Sequence, residues 1–297
     1  MKVLKFGGTS VGSATSLINV KNIVESEQQP VIVVVSALGG VTNQLIEMTQ
    51  LAMRHDSAYE AILAKVRQRH LDIIAQVVPH DRQHQARQVV EQFIDGNLTS
   101  HYSILCLNNG LNHTEQRHLA DTIVCHGEIL SSAIVASMID DAAPYYSPSF
   151  IKTTPDAEGK PILDEALTEQ LIRQVLAHCV HRRIVLQGFI AQDAHTGQAT
   201  TLGRGGSDFT AALVAAALNA EALEIWTDVD GFYDSDPRHN PQARLLQHMT
   251  YAEAQRLCDA GAKVIYPPTI APVAARGIPV WVKNTFNPTA PGTLIKG

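Results

Sequence analysis

The chain has 297 residues, of which 45% are hydrophobic and 18% charged, and carries a net charge of −6 with histidine neutral. Those fractions support a sizeable core in one large α/β domain or two lobes. The negative balance argues against nucleic acid or an anionic membrane as the main partner, although local basic groups and helix ends can still bind an anionic substrate.

In chain order, residues 3–6 form a short apolar strand that ends in Gly7 and Gly8. Residues 12–27 read as a helix with Leu17, Val20 and Val24 on one face. Residues 31–35, a β-branched run after Pro30, read as a strand buried on both faces, as in parallel sheets. Strand, glycine turn, helix and strand make a βαβ opening. From about residue 43 to 116 the pattern is helical and polar, with helices over 44–55, 58–78 and 81–93, and reads as a helical insertion. A further helix covers 127–139, a Pro- and Tyr-containing segment covers 144–150, and another helix covers 164–181. Residues 184–190 read as one strand interrupted by Gly188, residues 200–208 as a glycine-rich loop and residues 208–218 as an alanine-rich helix. Strands follow over 223–229, 278–282 and 293–295, and residues 287–297 have the composition of a domain boundary. Strands alternating with helices predict an α/β fold on an open, mostly parallel, doubly wound sheet.

The first residues run straight into a strand, with no apolar stretch of signal-peptide length, and no apolar run approaches bilayer-spanning length. Cys106, Cys125, Cys179 and Cys258 form no Cys-x-x-Cys pair, which suits buried thiols in a reducing cytoplasm. Among the histidines, His80 and His84 have i, i+4 spacing, and His178 and His181 bracket Cys179. No second cluster completes a four-ligand metal site, so solvated surface histidines are expected.

Three segments carry chemistry. Lys5-Phe6-Gly7-Gly8-Thr9-Ser10 follows the first strand. Its glycines let backbone N–H groups approach a phosphate, and Lys5 adds a point charge. Its lysine precedes the glycines, so it is not a Walker A loop, and by itself the segment reads more readily as a tight turn than as a phosphate site. Thr201-Leu202-Gly203-Arg204-Gly205-Gly206-Ser207-Asp208 also precedes a helix. Arg204 can hold a carboxylate bidentately, Ser207 is a candidate N-cap or phosphate ligand, and Asp208 can cap the helix. Trp226-Thr227-Asp228-Val229-Asp230-Gly231 follows another strand, and ligands of open α/β sheets bind beyond the carboxyl ends of strands. Lys263, in Gly261-Ala262-Lys263-Val264, reads as a surface charge, and Glu128 as dipole compensation at a helix start.

Together these segments resemble aspartokinase, of the amino acid kinase superfamily. The motifs stand in family order across essentially the whole chain. They are Lys-Phe-Gly-Gly-Thr-Ser at 5–10, Val-Ser-Ala at 35–37 with Thr-Asn at 42–43, Gly-Glu at 127–128 and Gln-Gly-Phe-Ile at 187–190. After them come Thr-Leu-Gly-Arg-Gly-Gly-Ser-Asp at 201–208, Trp-Thr-Asp-Val-Asp-Gly at 226–231, Asp-Pro-Arg at 236–238, Gly-Ala-Lys-Val at 261–264 and Pro-Gly-Thr-Leu-Ile at 291–295. The resemblance implies an open sheet between helix layers in one catalytic domain over 1–297. An amino-acid lobe would span about 1–198, with the insertion at about 43–116, and an ATP lobe about 199–297. It implies γ-phosphoryl transfer from MgATP to the side-chain carboxylate of L-aspartate, giving 4-phospho-L-aspartate, the first step of lysine, threonine and methionine biosynthesis.

By motif match, the resemblance makes Lys5, Asp208 and Lys263 catalytic, with Asp208 orienting the lysines or the Mg²⁺ shell. It makes Ser36, Thr42, Glu128, Phe189, Arg204 and Ser207 substrate residues, with Glu128 on the ammonium and Arg204 on a carboxylate. Gly7, Gly8 and Ser10 would contact phosphates together with Lys5, and Thr227, Asp228, Tyr233, Arg238 and Lys263 would contact the nucleotide. Mg²⁺ would be held mainly by ATP phosphates and water, with no protein metal site.

The sequence departs from the family at Tyr266-Pro267, where His-Pro is common, and at Ser147-Pro148-Ser149, which lacks an acidic and a basic residue. The closest resemblance is to the kinase portion of bifunctional aspartokinase–homoserine dehydrogenases. The regulatory and dehydrogenase domains would belong to a full-length protein, so feedback inhibition by threonine or lysine is not expected of this chain. A monomer and a homodimer through the kinase lobes both stay open. Glutamate, acetylglutamate or uridylate kinase and a non-catalytic nucleotide-binding module are the competing readings.

Overall fold

The apolar run after Met1 becomes β1 (Lys2–Phe6), and the β-branched run after Pro30 becomes β2 (Val31–Val35). Between them lies α1 (Ala14–Ser26), opened by a capping box in which Ser13 and Ser16 satisfy each other's backbone N–H groups. The computed structural model describes residues 1–107, 110–177, 179–235, 239–240 and 242–297. After β2 come α2 (Val41–Met53), α3 (Tyr59–Val77), α4 (His80–Glu91), α5 (Thr99–Leu107) and the long α6 (His113–Met138). Next are β3 (Ala142–Tyr145), β4 (Lys152–Pro155), β5 (Pro161–Leu163), α7 (Glu165–Leu176), β6 (Arg183–Gln187), β7 (Ile190–Asp193) and β8 (Ala199–Thr201). The remainder is α8 (Gly206–Ala217), β9 (Ala222–Thr227), β10 (His248–Met249), α9 (Tyr251–Asp259), α10 (Ile270–Ala274), β11 (Val280–Asn284) and β12 (Thr293–Ile295).

The main sheet runs β10-β12-β11-β9-β1-β2-β6-β3. Every pair in it is parallel except β11–β12. The first strand of the chain therefore lies in the middle, with β2 on one side and β9 on the other. Strand order reverses direction there, so the crevice for a ligand opens beyond Phe6 and Trp226. All five residues of β2 are buried, as a strand covered on both faces requires. Leu4 and Phe6 join a core with α1 and α2 through α6, and Val3 joins a second core with α7, α8 and α10.

Several expectations change. The single strand over 184–190 is two strands in two sheets: β6 ends at Gln187, and β7 starts at Ile190 in a small sheet ordered β5-β4-β7-β8. Phe189 turns the chain between them at φ 68°. The helix expected at 127–139 begins far earlier, at an Asn112–Glu115 capping box. That helix has the length and apolarity to cross a bilayer, but 67% of its most apolar stretch is buried in the fold. Cys125 and Cys258 are buried, whereas Cys106 and Cys179 are only partly so. His70 and His126 are core residues, each sharing a ring nitrogen with a carbonyl one turn back, and burial pushes both down to about 4. His178 lies outside the described residues.

Gly127 lets α6 press onto the loop after β2. A Cβ there would stand 2.9 Å from the Ala37 Cβ and 3.4 Å from Leu45 Cδ1. Gly127→Ala should therefore destabilise the fold: overpacking costs about 1–3 kcal/mol, against less than ~1 kcal/mol gained in helix propensity. Chemical denaturation checks this, and an unchanged midpoint would contradict it.

Candidate active site

The loops after β1 and β2 lie side by side at the carboxyl edge of the sheet. Gly7 N–H donates to the Trp226 carbonyl at 3.3 Å, and Ser36 N–H to the Phe6 carbonyl at 3.2 Å. Trp226 is held in turn: its ring stacks on Phe6, and its indole N–H donates to Glu224, buried between Lys2 and Lys283. Two helices begin here without a side-chain cap, α2 at Gly40 and α8 at Gly205. First-turn N–H groups of an uncapped helix seek an outside acceptor, and the positive end of the helix dipole favours an anion. Gly205 stands at φ 74° with the Tyr266 ring where its Cβ would be, so that position requires glycine.

Between these elements is a cavity of about 330 Å³. Of the residues expected from sequence, Lys5, Gly8, Ser36, Thr42, Glu128, Phe189, Arg204, Ser207 and Asp208 line it. Lys5 on β1 pairs with Asp208 in the first turn of α8 at 2.6 Å, both nearly buried. The other Asp208 oxygen accepts Tyr266 N–H at 3.1 Å. Ser207 and Asp208 therefore sit inside the first turn of α8, and neither caps it. Arg204 is exposed at the rim, without an ion-pair partner among the described residues. Phe189 keeps its strained backbone because its N–H donates to Thr210 Oγ1 and its carbonyl accepts from Leu202 N–H.

Glu128 is the most unusual group in the cavity. It is 3% exposed, and one carboxylate oxygen accepts Ala37 N–H at 3.1 Å. The other oxygen has no partner among the described residues. Burial pushes its carboxyl up to about 8. Dipole compensation does not describe it, since it lies deep within α6 and not at a helix start.

Other expected residues lie apart from the cavity. Ser10 is fully buried and hydrogen-bonds Thr285 Oγ1 at 2.7 Å and the Trp226 carbonyl at 3.3 Å. Gly7 stands beside the Lys5 ammonium, 3.3 Å from where its Cβ would be. Thr227 and the exposed Asp228 follow Trp226 and bond each other at 3.2 Å. Burial, then the neighbouring Asp230, raises the Tyr233 hydroxyl above its ordinary value. Lys263 is exposed on the loop after α9 and does not line the cavity. Arg238 lies outside the described residues. Sequence reasoning missed Gly39 and Gly40, which line the cavity although they form a glycine pair after a strand, the same signal as Gly7-Gly8. It also missed the Tyr266 amide, which no side-chain pattern announces.

The fold and cavity define an α/β protein with a glycine-rich cavity, lined by Lys5 and Arg204, at the carboxyl edge of its sheet. The chain belongs to the amino acid kinase family, whose sequence model matches residues 1–284. It is 33% identical over 298 residues to lysine-sensitive aspartokinase 3 of Escherichia coli (strain K12), covering 99% of this chain and 63% of that protein. It is likewise 33% identical over 308 residues to a bifunctional aspartokinase/homoserine dehydrogenase of Buchnera aphidicola, covering 36% of that protein. The crystal structure of E. coli aspartokinase III with aspartate and ADP superposes with a TM-score of 0.87 at 31% identity, covering all of this chain and 64% of that one. The chain thus spans less than two thirds of the length of these relatives.

A carboxyl raised by burial costs folding nothing while protonated. Its cost grows as pH climbs from its unfolded value to about 8. Glu128→Gln should therefore raise Tm near pH 9, with the gain vanishing near pH 5. Thermal melts at both pH values check the sign.

Proposed function

We propose that this chain is an aspartate kinase that transfers the γ-phosphoryl group of ATP to the side-chain carboxylate of L-aspartate. The carrying observation is the unpartnered, buried oxygen of Glu128 in a cavity that also holds Lys5, Arg204 and Asp208. A buried carboxyl oxygen without a partner calls for a donor, and the ammonium of an amino acid supplies one that also favours its ionised form. Arg204, free at the rim, suits a carboxylate of the same molecule. The similarity to E. coli aspartokinase III, whose structure contains aspartate and ADP, supports the choice of substrates.

A carboxylate is already nucleophilic at neutral pH, so the chemistry needs alignment and charge neutralisation more than a general base. Lys5 neutralises charge on the transferring group, and Asp208 holds that ammonium in place. The open N-termini of α2 and α8 donate N–H groups to anionic oxygens. Thr227, Asp228 and Tyr233 lie beyond β9 on the nucleotide side, and Arg238 and the exposed Lys263 are assigned there with them. Mg²⁺ would be held mainly by the nucleotide phosphates and water and would neutralise phosphate charge, with Asp208 orienting the Lys5 ammonium or the metal's water shell.

Incubation with ATP, L-aspartate and hydroxylamine should yield aspartyl hydroxamate; its absence at high enzyme concentration would overturn the reading. Lys5→Ala should lower kcat by on the order of 10²–10³, the cost of one electrostatic stabiliser. The value of kcat/KM for aspartate should rise with pH through about 8, because Glu128 must ionise before it can pair with an ammonium. A flat profile across that range would remove Glu128 from the role.

A further inference from the structure

Arg69 belongs to α3, in the helical insertion, and is not among the residues lining the cavity. Its two terminal nitrogens nevertheless reach both glycine loops. One donates to the Gly39 carbonyl and the other to the Gly12 carbonyl, each at 2.8 Å. These loops touch backbone to backbone: a Cβ on Gly39 would stand 2.9 Å from the Gly8 carbonyl oxygen, and a Cβ on Gly8 3.5 Å from Gly39 Cα. Gly8 and Gly39 both line the cavity.

We infer that Arg69 is a positioning residue for this cavity, fixing the β1 loop against the β2 loop and orienting the Gly39–Gly40 peptide. The peptide is trans, so its C=O and N–H point in opposite directions. With the Gly39 carbonyl turned out to Arg69, the Gly40 N–H turns inward at the uncapped start of α2. That N–H has no acceptor among the described residues, and Gly40 lines the cavity. A planar guanidinium suits the task because its fork spans two carbonyls at fixed separation, which a lysine ammonium on a flexible stem does not. The insertion thus takes part in setting the site without contributing a side chain to it. The inference rests on the aspartate kinase reading for its kinetic consequence and on geometry alone for its structural one.

The test uses Arg69→Met and Arg69→Lys in the full chain. In the hydroxamate assay, well below the Tm of every variant, Arg69→Met should lower kcat/KM for aspartate by roughly 10–100-fold, the scale of an ångström-level misplacement. ADP affinity by calorimetry should change less than about twofold, and Arg69→Lys should fall between the two. Unchanged kinetics, or losses of aspartate and ADP binding that simply follow a drop in Tm, would overturn the inference. A second readout separates it from the functional reading. In amide NMR spectra, inorganic phosphate should shift the Gly40 resonance in the parent chain and not in Arg69→Met. If the parent chain makes no hydroxamate, the kinase reading fails, and the phosphate titration still decides on Arg69. A Gly40 shift lost in Arg69→Met upholds it, and no shift in the parent, or an equal shift in both, overturns it.

Discussion

The ion pair between Lys5 and Asp208 joins the strand at the centre of the sheet to the first turn of the helix that crosses it. With both partners nearly buried, each charge is tolerated because the other is present. Removing one partner from such a pair costs about 3–5 kcal/mol, mostly through the charge left behind. Asp208 also takes the Tyr266 amide, so one carboxylate ties together β1, α8 and the loop after α9. The glycines at 203, 205 and 206 let the chain make this approach: the Tyr266 ring lies against Gly205, and Gly206 packs on Phe189. The lysine is thereby held in place before any substrate arrives, which is what electrostatic catalysis requires.

Around that pair several local conflicts stand close together. Glu128 is buried with an unpaired oxygen, Phe189 adopts a backbone conformation that bulky residues avoid, and α2 and α8 begin without caps. Away from the cavity, α1, α6 and α9 all begin with reciprocal capping boxes. Uncapped helix starts and positive-φ residues also occur away from the cavity, at α3, α4 and α10 and at His55, Asp141 and Asn219, so it is their coincidence with the buried Glu128 that sets this place apart. Charged groups entering the cavity would relieve Glu128 and the uncapped helix starts, whereas the Phe189 backbone is held by Thr210 and Leu202.

Much of this was legible in the sequence because the signals were local. The five β-branched residues 31–35 could only be a strand buried on both faces, and that is β2. The glycine-rich segment before Asp208 marked the approach to α8, though the helix starts at Gly206, not at Asp208. The parts that were not legible depend on distance. Residues 184–190 look like one apolar strand, and the break at Phe189 comes from bonds to Thr210 and Leu202, which no local pattern encodes. Ser10 looks like a phosphate ligand beside two glycines, yet its hydroxyl is taken by Thr285 from the far end of the chain. Glu128 reads as dipole compensation at a helix start until α6 proves to begin at His113 and the β2 loop donates Ala37 N–H to it. The small sheet of β4, β5, β7 and β8 escaped because its strands are three or four residues long.

The central place of β1 has a consequence for how the polypeptide reaches this shape. Its neighbour β2 is close in sequence, but β9 is synthesised only after the whole insertion and the small sheet. Until then the strand that carries Lys5 has one open edge, exposing unpaired backbone and apolar side chains. Parallel pairing across so long a separation closes a large loop before it is rewarded, so this contact should form late. The strand made before the insertion is therefore among the last to be locked in place, and a chain released before β9 has emerged would present a sticky sheet edge in place of a finished core.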